Sequence, residues 1–147
     1  MANRNEHSVE IDRGPEAVFP YLVESDKRLR WMQMLAASEQ LDDGEPTLGT
    51  RFADVFEAAG RRFDLDAEIV EWEPHRRVAI GIRSSEFEST ARQALEDLGG
   101  RTRLTTTIDT AYTSRLARLM AGVVTHQAQR QLELDLLRLK GLVEGET

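Results

Sequence analysis

The amino-acid sequence predicts an α+β fold, in which a curved antiparallel sheet of about seven strands wraps around one long C-terminal helix. Apolar and polar residues alternate repeatedly between residues 8 and 112, which is the pattern of half-buried strands. Short turns rich in Gly, Pro and Asp separate these runs, so consecutive strands must pair in antiparallel fashion. From Ser114 onward the period is helical, and only this helix is long enough to cover the sheet.

The first strand is predicted where Val9 and Ile11 alternate with polar residues. Gly14 and Pro15 end the strand, and two short helices are expected to follow before the rest of the sheet. Pro20 lies inside the first of them, where an interior proline costs about 3 kcal/mol. We therefore expect that helix to be short or kinked.

The second short helix is expected to begin with Asp26 as its N-cap. It should contain Trp31 and Met32 and end by Leu35, before a turn-rich segment at 42–46. The later strands share one alternation, and their apolar runs are Phe52 to Phe56, Phe63 to Ile69, Val78 to Ile82, Phe87 to Leu95 and Leu104 to Tyr112. Turns at Ala59-Gly60, Pro74-His75 and Gly99-Gly100 separate several of them.

The C-terminal helix carries two apolar stripes on opposite sides. The first is expected to face the sheet and consists of Leu116, Leu119, Met120, Val123, Gln127, Arg130, Leu134 and Leu137. The second occupies the last third of the helix and consists of Leu132, Leu136, Leu139 and Val143. Because a row of exposed leucines is typical of an interface, the second stripe predicts a homodimer. The alternative is that other parts of the chain cover it.

Composition limits the function classes. The 147 residues predict a single domain over 1–147, and the absence of cysteine excludes disulfides and thiolate chemistry. A net charge of −7 argues against a general nucleic-acid or anionic-membrane surface. No secretory signal or membrane-spanning run is evident, so a cytoplasmic location is expected. Only Lys27 and Lys140 among 19 basic residues are lysine, a skew that hints at a bacterial source.

Polar residues at inward positions are the candidates for chemistry. Asp54 lies between Phe52 and Phe56 on one strand, so all three side chains share a face. Arg130 interrupts the first helical stripe, and a buried charge requires a partner, so we expect an Asp54–Arg130 pair. With Tyr112, these two are the catalytic candidates. The alternative is that Asp54 reaches water at the edge of the cavity or is turned outward by a bulge.

A wider set of residues is predicted to line the internal cavity that the family resemblance given below implies. Its members are Trp31, Met32, Phe52, Asp54, Phe56, Phe63, Ile80, Phe87, Thr106, Met120, Gln127 and Arg130. For several of them, ordinary core packing is an equally good interpretation. The three histidines lack the spacing of metal ligands, and no nucleotide-binding or nucleophile motif is present, so no metal or cofactor is expected.

Several segments resemble one known superfamily. They are IDRGPEAVF at 11–19, the pair Arg30-Trp31, IVEWEPHRRV at 69–78 and GGRTRL at 99–104. Their order and spacing resemble the SRPBCC (START-like) superfamily, and within it the polyketide cyclase/dehydrase and lipid-transport group, over about residues 6–143. The resemblance implies a helix-grip fold with an apolar cavity for a small molecule. It implies no particular catalytic residue, because the superfamily has no universal catalytic motif.

The leading hypothesis from these observations is binding of a hydrophobic small molecule, lipid-, polyketide- or isoprenoid-like, inside that cavity. A polyketide aromatase/cyclase or dehydrase acting in the same cavity is the alternative, in which proximity of the reacting groups would supply much of the catalysis. A further alternative is an interaction subunit, such as a toxin-antitoxin partner or a coenzyme Q chaperone-like protein.

Overall fold

A computed structural model describes residues 2–58 and 60–146. The strands are β1 (Ala2–Ile11), β2 (Leu35–Gln40), β3 (Arg51–Ala58), β4 (Arg61–Glu73), β5 (Arg77–Arg83), β6 (Phe87–Asp97) and β7 (Thr102–Tyr112). The helices are α1 (Pro15–Val18), α2 (Pro20–Val23), α3 (Ser25–Trp31), α4 (Arg115–Leu119) and α5 (Ala121–Glu144). All seven strands form one sheet in the order β1-β7-β6-β5-β4-β3-β2, and every neighbouring pair is antiparallel. The predicted fold class is confirmed.

The local predictions are partly right. The helix that contains Pro20 does break there, leaving α1 and α2 as two short helices. Asp26 is not the N-cap of α3, because the N-cap position is occupied by Glu24, two residues earlier, and no side chain caps the helix. Leu35 begins strand β2 rather than ending a helix. The Ala59 half of the predicted turn lies outside the described residues.

The sheet is bent by irregularities on two strands. The register shifts between Leu35 and Ala37 on β2, and between Ile69 and Glu71 on β4. An extra residue of this kind bends its strand and increases the local twist. On β4 the shift lets both Ile69 and Trp72 pack on the core side of the sheet. The sheet therefore has a concave face, and α5 lies against that face and the edge strand β1.

The face that α5 turns toward the sheet is opposite to the predicted one. Its buried apolar residues are Leu132, Leu136, Leu139 and Val143. They pack in the core, so the prediction of a homodimer through these four residues is wrong. Members of the first stripe, including Gln127, Arg130, Leu134 and Leu137, are exposed, and for Val123 only the backbone is described.

The physical reason for this orientation lies in the composition of the two stripes. The first contains Gln127 and Arg130, whose burial without partners would cost several kcal/mol, of the order of 2–7 kcal/mol for an amide alone. The second contains only leucine and valine at its core positions. The long helix is also interrupted at Met120, where α4 ends and α5 begins. In the described part of the chain, no helix is long and apolar enough to cross a membrane.

Candidate functional site

The concave face of the sheet is covered at one end and open at the other. At the covered end, Ile11, Leu104 and Trp31 pack with α5 into the main core. At the other end the concave side chains are half-buried, and the aromatic ones, Phe56, Phe63 and Phe87, lie outside the core cluster that contains the buried residues of α5. We name this surface the open half, and it comprises Phe56, Phe63, Ile82, Phe87, Ala91, Ile108, Thr110 and Tyr112.

The floor of the concave face has an apolar side and a mixed side. On β3, β4 and β5 the concave side chains are aromatic or aliphatic except for Asp54, whereas on β6 and β7 polar residues alternate with apolar ones such as Phe87, Ala91 and Ile108. Ser89 and Thr110 are register partners, and their hydroxyl oxygens are 3.1 Å apart. Two rows further into the fold, beyond the pair of Ala91 and Ile108, the Thr106 hydroxyl donates to the side-chain oxygen of Gln93. A ligand on this floor would meet carbon over β4 and β5, and a mixture of carbon and hydrogen-bonding groups over β6 and β7.

Helix α5 is fixed beside this floor by hydrogen bonds to the first strand. The Nδ2 of Asn5 donates to the Thr125 carbonyl at 2.9 Å and to Oε1 of Gln129 at 3.2 Å. The Nε2 of Gln129 donates back to the carbonyl of Glu6 at 2.9 Å. The hydroxyl of Thr125 is buried and has no hydrogen-bond partner among the described residues. A buried hydroxyl without a partner costs about 1–3 kcal/mol, so this position favours an additional polar group.

Aromatic side chains border the open half where β3 joins β4 and β5 joins β6. Phe63 and Phe87 contact edge to face, with ring centroids 6.3 Å apart. The guanidinium of Arg61 lies 4.9 Å from the Phe63 ring and pairs with Glu86 at 2.9 Å. Phe56, Phe63 and Phe87 were predicted to line a cavity, and the structure brings all three to this one surface.

Asp54 shares the concave face with Phe52 and Phe56, which is one of the orientations left open by the sequence, but its partner is Arg28 rather than Arg130. Nη2 of Arg28 lies 2.7 Å from Oδ2 of Asp54, and Nη1 lies 3.4 Å from Oδ1. Both residues are 2% exposed. The guanidinium also lies 5.2 Å from the Phe52 ring and donates to the Ser38 hydroxyl at 3.3 Å. This closed ion pair fixes α3 on β2 and β3.

The remaining predicted lining residues are divided among three environments. Trp31 and Ile80 are buried in the core, where Nε1 of Trp31 donates to the Tyr21 carbonyl at 2.8 Å. Met32 packs against that core while partly exposed, and Thr106 is buried on the floor described above. Met120, Gln127 and Arg130 are exposed on the outer side of the C-terminal helices, so the expectation that they face a cavity is corrected. Of the catalytic candidates, only Tyr112 lies on the open half.

Sequence reasoning missed Arg28, Gln93 and Asn5. Arg28 lies in a segment that also contains Lys27 and Arg30, and a basic residue in such a segment is ordinarily exposed to solvent. Its spacing gave a usable signal, because Arg28 lies three residues before Trp31 and therefore on the same, buried, helix face. Asn5 precedes the part of β1 that has clear alternation, so its burial could not be inferred.

A second concavity lies on the outer side of the short helices. It is a surface groove of about 740 Å³ between α2, α3 and the turn after β4, and Phe19, Trp72 and His75 form its aromatic wall. Ser38 also lines it and bonds to Arg28. The buried ion pair therefore separates this groove from the open half.

Asp135 on α5 is a buried carboxylate of a different kind from Asp54. Burial raises the pKa of Asp135. Three contacts only partly oppose this effect: hydrogen bonds from the Gln131 side chain and the Gln33 backbone amide, and the positive charge of Arg138. Because its pKa is higher in the folded than in the unfolded protein, Asp135 favours folding when protonated. That contribution is lost as the pH rises through the folded-state pKa.

Replacing Asp135 with asparagine is therefore expected to raise the melting temperature at neutral pH, since asparagine retains an acceptor oxygen without a charge. The gain should disappear at pH values below the unfolded-state pKa of aspartate, about 3.9. Thermal melts followed by circular dichroism across this pH range measure both effects. A lower melting temperature for Asp135→Asn at neutral pH would show that the charge stabilises the fold.

Comparison with solved structures gives the same architecture. A START superfamily protein from Mycobacterium smegmatis superposes with a TM-score of 0.82 at 17% identity, over 99% of both chains. The ZhuI aromatase/cyclase from Streptomyces sp. R1128 gives 0.80 at 17% identity, over 98% of this chain and 94% of that one. The TTHA0849 protein of Thermus thermophilus gives 0.80 at 18% identity, over 95% of this chain and 96% of that one. At such identities the likeness establishes the helix-grip fold alone.

The family of the chain is established by a match that covers nearly its whole sequence. No functionally curated protein matches the chain. The model of the family described as polyketide cyclase/dehydrase and lipid transport matches residues 4–144, which is nearly the entire length. This match agrees with the resemblance of the segments at 11–19, 69–78 and 99–104, and it supports a role in hydrophobic ligand binding or cyclase-like chemistry. The chain belongs to the polyketide cyclase/dehydrase and lipid transport family.

Proposed function

We propose that the protein binds one hydrophobic small molecule on the open half of its concave face, between the sheet and the first turns of α5. The observation that carries this proposal is the group of aromatic and aliphatic side chains left half-buried there, led by Phe56, Phe63 and Phe87. In a chain that buries its other inward apolar residues, such a surface favours an apolar occupant. A cytoplasmic location is part of this proposal and rests on the lack of cysteine.

The polar groups of the floor narrow the class of ligand. Ser89, Gln93 and Thr110 offer hydroxyl and amide groups on β6 and β7, and the unpartnered hydroxyl of Thr125 lies on α5. These groups suit hydroxyl or carbonyl oxygens on the ligand. A polyketide- or isoprenoid-like molecule with an apolar body and a few oxygens has this character, whereas a plain hydrocarbon would leave the Thr125 hydroxyl without a partner.

Binding without catalysis is favoured over cyclase chemistry. Proton transfer requires an acid or base positioned against the substrate. Asp54 is held in its ion pair with Arg28, and Arg130 lies on the outer surface. The cyclase alternative therefore depends on Tyr112, which lies beside Phe87 on the open half.

Native mass spectrometry of gently purified protein tests the proposal directly. The expected result is an adduct of one small molecule per chain that disappears on denaturation. A chain that stays bare, and that also fails to retain polyketide- or isoprenoid-like compounds added in excess, would contradict the proposal. A bound compound that is converted and released as a product would support the cyclase alternative.

Replacing Ala91 with phenylalanine is expected to weaken ligand retention about tenfold or more. Ala91 lies on the floor between Ile80 and Ile108, and the added ring would occupy space that the ligand needs, a clash of about 1–3 kcal/mol. The matched control is Ala94→Phe, on the same strand but exposed on the convex face. Adduct intensity in ligand titrations measures both variants, and equal losses would refute the assigned site.

A further inference from the structure

The junction between α4 and α5 exposes a group of large apolar side chains. Leu116 is 67% exposed and Leu119 is 77% exposed, the highest values for large hydrophobic residues in the described part of the chain. Met120 and Val124 continue the same exposed surface. We name these four residues the α4 patch. Isolated exposed leucines are common in proteins. A contiguous group of exposed large apolar residues, such as the one at the junction of α4 and α5, is typical of a contact surface.

The segment that contains the α4 patch has a charge opposite to that of the whole protein. Residues 110–132 contain Arg115, Arg118 and Arg130 and no acidic residue, although the chain carries a net charge of −7. Nε and Nη2 of Arg118 donate to the carbonyls of Tyr112 and Thr113, which keeps that charge at the end of β7. Leucines beside arginines are the composition of segments that bind at the surface of anionic membranes.

The α4 patch lies next to the open half. Helix α4 follows β7 directly and is capped by the Ser114 hydroxyl, which accepts from the Ala117 amide at 3.1 Å. The last residue of β7, Tyr112, is the register partner of Phe87 on the open half. A surface that contacts the α4 patch would therefore also lie close to the place where a ligand enters or leaves.

We propose that the α4 patch docks the protein on an anionic phospholipid bilayer, with the open half turned toward the lipid. Docking requires only the α4 patch, whereas exchange of ligand with the bilayer rests on the function proposed above. A second copy of this chain is a poorer occupant. A two-fold contact would place Arg115 and Arg118 of one copy against the same residues of the other, without an acidic partner in the segment.

Co-sedimentation with vesicles tests the docking. Vesicles of phosphatidylcholine mixed with phosphatidylglycerol are expected to bind the protein, and vesicles of phosphatidylcholine alone should bind it weakly. Replacing Leu116 and Leu119 with serine should reduce binding about tenfold for each leucine. The variant Arg115→Glu should reduce it about fivefold and make it less sensitive to salt. Leu48→Ser is the matched control, because Leu48 is 61% exposed on the loop before β3.

Several results would overturn the docking. They are the absence of binding to anionic vesicles, equal binding by the Leu116→Ser/Leu119→Ser variant, or an equal loss in the Leu48→Ser control. A wild-type dimer that becomes a monomer in the double serine variant, seen by light scattering, would identify a second copy as the occupant. If the protein binds anionic vesicles but retains no small molecule in native mass spectrometry, the docking stands and the proposed function is rejected. If it retains a small molecule but does not bind the vesicles, the proposed function stands and the docking is rejected.

Discussion

Replacement of Asp54 by alanine is expected to lower the free energy of unfolding by about 3–5 kcal/mol, because it leaves the guanidinium of Arg28 buried without its counter-charge. Such a loss is a large share of the stability of a typical domain, about 5–15 kcal/mol. The Arg28 side chain also supports the position of α3, through its contacts with Ser38 and the Phe52 ring. The variant should therefore unfold at much lower urea concentration, with an unchanged slope.

Two further variants separate the ion pair from other effects of the substitution. Asp64→Ala on the neighbouring strand removes an exposed carboxylate, 3.5 Å from Arg62, and should change the stability little. The double variant Arg28→Met/Asp54→Leu replaces the pair with apolar groups and should recover most of the loss, since buried ion pairs are often no more stable than well-packed apolar replacements. If Asp54→Ala and Asp64→Ala unfold at the same urea concentration, the buried pair does not hold α3.

The ion pair also shows what the sequence could predict about the site. Period-2 alternation placed Asp54, Phe52 and Phe56 on one face, because strand geometry alone decides which residues share a face. That this face is the concave one follows only from the structure. The identity of the partner depended on where α3 packs, and no local pattern encodes that contact. The spacing of Arg28 before Trp31 indicates that Arg28 is buried, but only the tertiary structure shows that its partner is Asp54.

The strands were easier to predict than the orientation of the C-terminal helix, because local patterns decide the first and tertiary packing decides the second. The antiparallel pairing of consecutive strands, and the inward orientation expected for Thr106 and Tyr112, followed from alternation and short turns. The helix offered two apolar stripes, and its orientation depended on the cost of burying Gln127 and Arg130 in one of them. Strand β2 was missed because Leu35 to Gln40 contains few apolar residues and lies at an edge of the sheet.

The orientation of α5 predicts opposite results for two adjacent residues. Leu136 is fully buried against the core, whereas Leu137 is 57% exposed on the outer side. Leu136→Glu would remove apolar packing and bury an unpaired carboxylate, with an expected loss of more than about 4 kcal/mol. Leu137→Glu adds the same charge at the surface and should leave the free energy of unfolding nearly unchanged.

Urea denaturation of the Leu136→Glu and Leu137→Glu variants, with light scattering for the oligomeric state, measures both outcomes. Had the second stripe been an interface between copies, Leu136→Glu would give a stable monomer from a dimer, because a charge at a separable interface blocks association without breaking the core. Packing of Leu136 inside the chain predicts instead an unfolded or strongly destabilised protein. A stable, folded Leu136→Glu variant would therefore reverse the assigned orientation of α5 and, with it, the position of the open half.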